Sequence, residues 1–112
     1  MLDARQTSSP LHHPSAGEID LPSLLHALSD PMRLEIVRSL FCAQQGELAC
    51  KEIELPVSKA TASHHFKVLR EAGVISQHDV GTRRISALRT DDLEQRFPGL
   101  LDSVLRAAQS EL

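Results

Sequence analysis

A chain of 112 residues with a formal net charge of −3 has room for one compact domain and not for two. Its hydrophobic content of 41% can fill a core, but with three Phe and no Trp or Tyr that core has to be aliphatic. No apolar run approaches the roughly 20 residues of a membrane span. The N-terminus has no signal-peptide pattern, and two cysteines do not make a secreted disulfide scaffold. A cytoplasmic, reduced location with no membrane partner is therefore expected.

Residues 1–19 hold three Ser, two Pro, a Gly and the pair His12-His13 without periodicity, the pattern of a flexible tail. A folded domain is expected over 20–112. Leu21, Leu24, Leu25 and Leu28 lie at i, i+3, i+4 and i+7, with Pro22 suited to a first turn, and predict a first helix. Asp30 is placed to cap a second helix, with Pro31 at its first position. Leu34, Val37, Leu40 and Phe41 give that helix an apolar face, and Arg33 and Arg38 point elsewhere. After a Gln44-Gln45-Gly46 loop, Glu47 to Glu54 reads as a short third helix with Leu48, Cys50 and Ile53 inward.

Pro56 disfavours helical geometry at Leu55, so a break precedes the next element. That element runs from Ser58, a good N-cap, to Gly73, a good left-handed stop. Ala62, Phe66 and Leu69 fall on one helical face. Lys59, Thr61, Ser63, His64 and Lys67 are polar or cationic, and no acid appears until Glu71. Such a helix presents donors to something that accepts, as phosphates and base edges do. A short helix, a turn and a longer donor-rich helix make a helix-turn-helix, whose second helix enters the major groove.

Beyond Gly73 the period shortens. Val74–Val80 and Arg84–Leu88 are β-prone, with Gly81-Thr82 as the turn. The hairpin tip carries Arg83 and Arg84, which can reach phosphates or a narrow minor groove. Thr90-Asp91-Asp92 starts a short helical piece, and Pro98 leads into a last helix with Leu100, Leu101, Val104, Leu105 and Ala108 apolar. The first and last helices are more hydrophobic than a small domain needs. Leu21, Leu24, Leu25, Leu101, Val104 and Leu105 are expected at a symmetric dimer interface. The fold class is mainly α with a small β-hairpin, a winged helix-turn-helix in the order α-α-α-α-β-β-α.

Charge is distributed unevenly. Residues 57–90 carry Lys59, Lys67, Arg70, Arg83, Arg84 and Arg89 against Glu71 and Asp79, a net of +4. Residues 1–56 have a net of −4 and residues 91–112 a net of −3. One positive segment on an acidic protein is the footprint of a nucleic-acid face.

Three segments resemble the ArsR-type winged-helix transcriptional repressors: Ala27 to Val37, with its Leu-Ser-Asp-Pro-Met-Arg-Leu core, Val57 to Ile75, and Gly81-Thr82-Arg83-Arg84-Ile85. The resemblance spans residues 21–109. It implies a homodimer that binds a palindromic double-stranded operator and represses until an unidentified inducer releases it. Carried over by position, Ser58, Lys59, Thr61, Ser63 and His64 face DNA, and His65 packs beneath the helix. By chemistry, Thr61 can set its methyl against a thymine, while Lys59 and Lys67 suit phosphates.

Many members of the resembled family sense metals. One of their site types places Cys-x-Cys after a Glu-Leu. Here Glu47-Leu48-Ala49-Cys50-Lys51 lacks both thiolates, and no His follows His78 for the site on the last helix. No metal or other cofactor is therefore expected. Cys42 and Cys50 read as small buried hydrophobes, with pairing possible only if their Cα atoms approach within about 7 Å. Two other readings stand beside the repressor: a thiol- or metal-responsive sensor, and a winged-helix module that binds protein. An enzyme is not expected. His64 and His65 diverge by about 100° on a helix, and no phosphate loop or carboxylate pair is present.

Overall fold

The computed structural model describes residues 11–111. Among these residues are five α-helices and a three-stranded antiparallel sheet: α1 (Leu21–Leu28), α2 (Pro31–Cys42), β1 (Glu47–Ala49), α3 (Lys59–Glu71), β2 (Ile75–Val80), β3 (Arg83–Leu88), α4 (Thr90–Arg96) and α5 (Leu100–Glu111). The expected winged helix-turn-helix is present.

The helix starts follow from side chains that accept free backbone donors. The Asp20 carboxylate accepts from the Ser23 N–H at 3.0 Å, and Asp30 Oδ1 accepts from Met32 N–H at 2.8 Å and Arg33 N–H at 3.2 Å. Inward faces of the helices meet in one aliphatic core. It contains Leu24, Ala27 and Leu28 of α1, Ile36, Val37 and Leu40 of α2, Phe66 and Leu69 of α3, and Leu101 and Leu105 of α5.

The segment Glu47 to Glu54 is not a helix. Glu47–Ala49 pairs with β3, with Glu47 opposite Ala87 and Ala49 opposite Ile85, and Cys50–Glu52 is a single 3-10 turn. Eight residues gain few helical hydrogen bonds against a costly nucleation. The free ladder groups of β3 offer these residues a better partner. Ala49 and Ile53 are buried, whereas Leu48 and Cys50 are half-buried. The expected hairpin is thus two strands of a sheet ordered β1-β3-β2, with β3 central and β2 at an edge.

Gly73 ends α3 with φ +87°, and two bonds close the turn: Gly73 N–H to Arg70 O at 3.1 Å and Val74 N–H to Leu69 O at 3.0 Å. A Cβ on Gly73 would lie 2.5 Å from Ile19 Cγ1. That contact corrects the expected tail. Ile19 is 1% exposed, the Gln77 N–H donates to His13 Nε2 at 2.9 Å, and Arg89 Nη1 donates to Pro14 O at 2.7 Å. Residues 11–19 are laid on the domain; the tail expected at 1–10 lies outside the described residues.

The expected dimer residues divide. Leu24, Leu101 and Leu105 are core residues of the protomer itself, so they offer no surface to a second copy. Leu21 and Leu25 are 40% and 47% exposed, and Val104 is half-buried.

Candidate nucleic-acid interface

The α3 face was expected from a 3.6-residue period, and each of its residues is exposed: Ser58, Lys59, Thr61, Ser63, His64 and Lys67. His65, Phe66 and Leu69 are buried beneath them. The adjacent histidines part as helical geometry requires, His64 to solvent and His65 inward. Ser58 is already committed. Its Oγ accepts from Thr61 N–H at 3.1 Å and donates to Thr61 Oγ1 at 3.0 Å. The Thr61 hydroxyl hydrogen is left to donate outward.

The ridge is held from below by Arg33. Sequence reasoning turned this residue away from the core, yet it is only 7% exposed. Its Nε donates to Ala27 O at 2.7 Å and its Nη2 to His26 O at 3.3 Å, satisfying carbonyls at the end of α1. Its Nη1 reaches His65 Nδ1 at 3.2 Å. A guanidinium only donates, so Nδ1 accepts and a neutral His65 carries its proton on Nε2. Asp30 Oδ1 lies 4.0 Å from the same nitrogen. The Asp-Pro-x-Arg stretch therefore starts α2, stops α1 and props α3.

On the wing, Val80 pairs with Arg83 across the two-residue turn Gly81-Thr82, with Gly81 at φ +62°. Arg83 and Arg84 are exposed at this tip, and both have anionic neighbours that the sequence reading missed. Arg83 Nη2 donates to Glu52 Oε1 at 3.2 Å. Arg84 Nε and Nη2 donate to the two Asp79 oxygens at 2.8 and 3.2 Å. That hydrogen bond from Arg84 holds the Asp79 carboxyl below the usual range. Register supplies the missed signal: a two-residue turn after Val80 sets Asp79 opposite Arg84.

Two cations of the positive segment lie off this face. Arg70 is half-buried and donates through Nη1 to Gln77 Oε1 at 2.7 Å. Arg89 follows the far end of β3, roughly 20 Å from the tip at strand spacing, and is tied to Asp92. Cys42 is exposed and Cys50 half-buried, both free thiols. Gln77 Nε2 approaches Cys50 Sγ at 3.4 Å and donates to Ser86 Oγ at 2.9 Å. The reading of Cys42 as a small buried hydrophobe is therefore corrected. Among the described residues no three His, Cys, Asp or Glu side chains converge to hold a metal ion.

A donor-bearing helix beside a basic hairpin, both carried by one aliphatic core, defines a winged-helix DNA-binding protein. A family model described as a helix-turn-helix domain matches residues 28–78. An uncharacterized HTH-type transcriptional regulator of Bacillus subtilis (strain 168), YceK, is 37% identical over 72% of this chain and 82% of its own. The arsenical resistance operon repressor of Staphylococcus xylosus is 36% identical over 67% of this chain and 71% of its own. The crystal structure of an ArsR family transcriptional regulator shares the fold at 20% identity with a TM-score of 0.60, over 80% of this chain and 91% of that chain. The chain belongs to the ArsR family of winged helix-turn-helix transcriptional regulators. It is a DNA-binding regulator, and the proteins it is similar to are regulators rather than enzymes. No helix among the described residues is long and apolar enough to cross a membrane.

Proposed function

We propose that this regulator is a cytoplasmic homodimeric repressor that sets α3 of each protomer into successive major grooves of a palindromic operator. The observation that carries this reading is the row of exposed donors on α3, free of acids until its last turn. Lys59 and Lys67 fix register on phosphates, while Thr61, Ser63 and His64 reach base edges. Arg83 and Arg84 extend the contact to the flanking backbone. The exposed Leu21 and Leu25 of α1 join Val104 of α5 to pair the two copies. That the Staphylococcus relative is a repressor favours repression over activation.

Fluorescence anisotropy with a duplex from upstream of the protein's own gene tests the reading. Binding should exceed that to a scrambled duplex and should weaken about a thousandfold or more between 50 and 200 mM salt if six or more phosphates are neutralised by the dimer. Equal affinity for both duplexes, or no salt dependence, removes the operator contact.

A further inference from the structure

We propose that the cavity between the 3-10 turn, α3 and the wing binds a small amphipathic organic anion, and that its occupant competes with DNA. The competition rests on the DNA-binding reading above; the site itself does not. The cavity measures about 590 Å³, the size of small-molecule sites, which span about 300–1,000 Å³. Ile53, Leu55 and Phe66 give it an apolar floor. Lys51, Lys59 and Arg70 stand over that floor against a single acid, Glu54, while Arg84 on the same wall is held by Asp79. An apolar body fits the floor, and the excess of cations selects a negative head.

Arg70 is the group that asks for a ligand. One of its donors meets Gln77, but its Nε is shut off from solvent and has no hydrogen-bond partner. An unmade bond from a charged, enclosed donor is costly. A carboxylate or sulfonate in the cavity lets the guanidinium turn from Gln77 and hold two oxygens side-on through Nε and Nη. Turning also frees the Gln77 side chain, which links β2 to Ser86 of β3 and to Cys50. Lys59 and Ser63 line this cavity and also belong to the donor ridge. An occupant therefore withdraws them from a duplex, and by linkage the duplex weakens the occupant by the same factor.

The full chain titrated with 8-anilinonaphthalene-1-sulfonate and with neutral N-phenyl-1-naphthylamine tests the site, because the dyes share their rings and differ by the sulfonate. The sulfonate should saturate at one per protomer and bind at least about tenfold tighter than the neutral dye, the scale of a charge-assisted bond. Arg70→Gln should abolish that preference, and Ala62→Leu, which adds bulk at the cavity wall, should weaken both dyes. If Arg70→Gln does not fold, Ala62→Leu decides: weakened dyes support the site. Equal affinity for the two dyes, or unchanged sulfonate binding in a folded variant, puts the dye on exposed leucines instead and overturns the proposal. Saturating sulfonate should also lower duplex affinity in the wild type; unchanged affinity overturns the competition. A protein with no salt-sensitive duplex binding fails the repressor reading and leaves the dye result standing.

Discussion

Arg33 shows how much one side chain can hold together. It serves two carbonyls of α1 and the His65 ring of α3, while its own backbone N–H is taken by Asp30. Arg33→Ala leaves those acceptors without donors in a closed space. At about 1.5–3 kcal/mol for each hydrogen bond to a charged group, and with partial relaxation, the expected loss is about 3 kcal/mol. A urea midpoint lowered to match would confirm it; a loss under about 1 kcal/mol would mean the carbonyls find water instead. Lys67 belongs to the other kind of residue, exposed and packed against nothing that folding needs. Lys67→Ala should weaken binding to every duplex alike and reduce the salt slope by about one per protomer, about two for the dimer. A change in sequence preference alone would reassign Lys67 to a base. The caps and the α3 face were legible because each follows from local spacing. The role of Arg33 was not, since its partners His26, Ala27 and His65 converge only once three helices have packed.

The third segment marks where local pattern stops deciding. Leu48 and Cys50 are spaced for a strand and Cys50 and Ile53 for a helix, and only the presence of β3 settles the choice. The wing was legible from its β-prone runs and Gly81-Thr82, but its electrostatics were not. Register alone brings Asp79 to Arg84, and the 3-10 turn brings Glu52 to Arg83. These acids lower the hairpin's net attraction for phosphate. Asp79→Asn should therefore tighten duplex binding about two- to fivefold at low salt, the worth of an exposed ion pair, and Arg83→Ala with Arg84→Ala should weaken it with the fold intact. Unchanged affinity in both proteins would take the wing out of the contact. Within α2, the Arg38 hydrogen bond holds the Glu35 carboxyl below its ordinary 4.5. A folded pKa below the unfolded one means stability that is present above about pH 4.5 and lost as pH falls further. Glu35→Gln should cost about 0.2–0.5 kcal/mol at pH 7 and less at pH 3. Urea midpoints at both values test this, and an equal difference at both would show that the pair is not the cause.

Two features belong to the assembled molecule, and the sequence exposed them unequally. A polar, aperiodic run such as residues 11–19 carries no internal signal of order. Ile19 anchors it by filling the space over Gly73, and Gln77 and Arg89 hold His13 and Pro14. An excess of leucine on the end helices was legible, but not which of those leucines the core would take. A helix that covers a core and also meets a partner shows an apolar stripe wider than either needs, and only packing divides the stripe. Leu24, Leu101 and Leu105 went to the core; Leu21 and Leu25 stayed outside. Leu21→Glu with Leu25→Glu places two like charges against their symmetry mates in a two-fold contact, at positions where the protomer itself loses little. Sedimentation should then give the protomer mass with the helical signal retained. Operator affinity should fall by about a hundredfold or more, because the second half-site is no longer reached at high effective concentration. A variant that still sediments as a dimer would move the interface off α1.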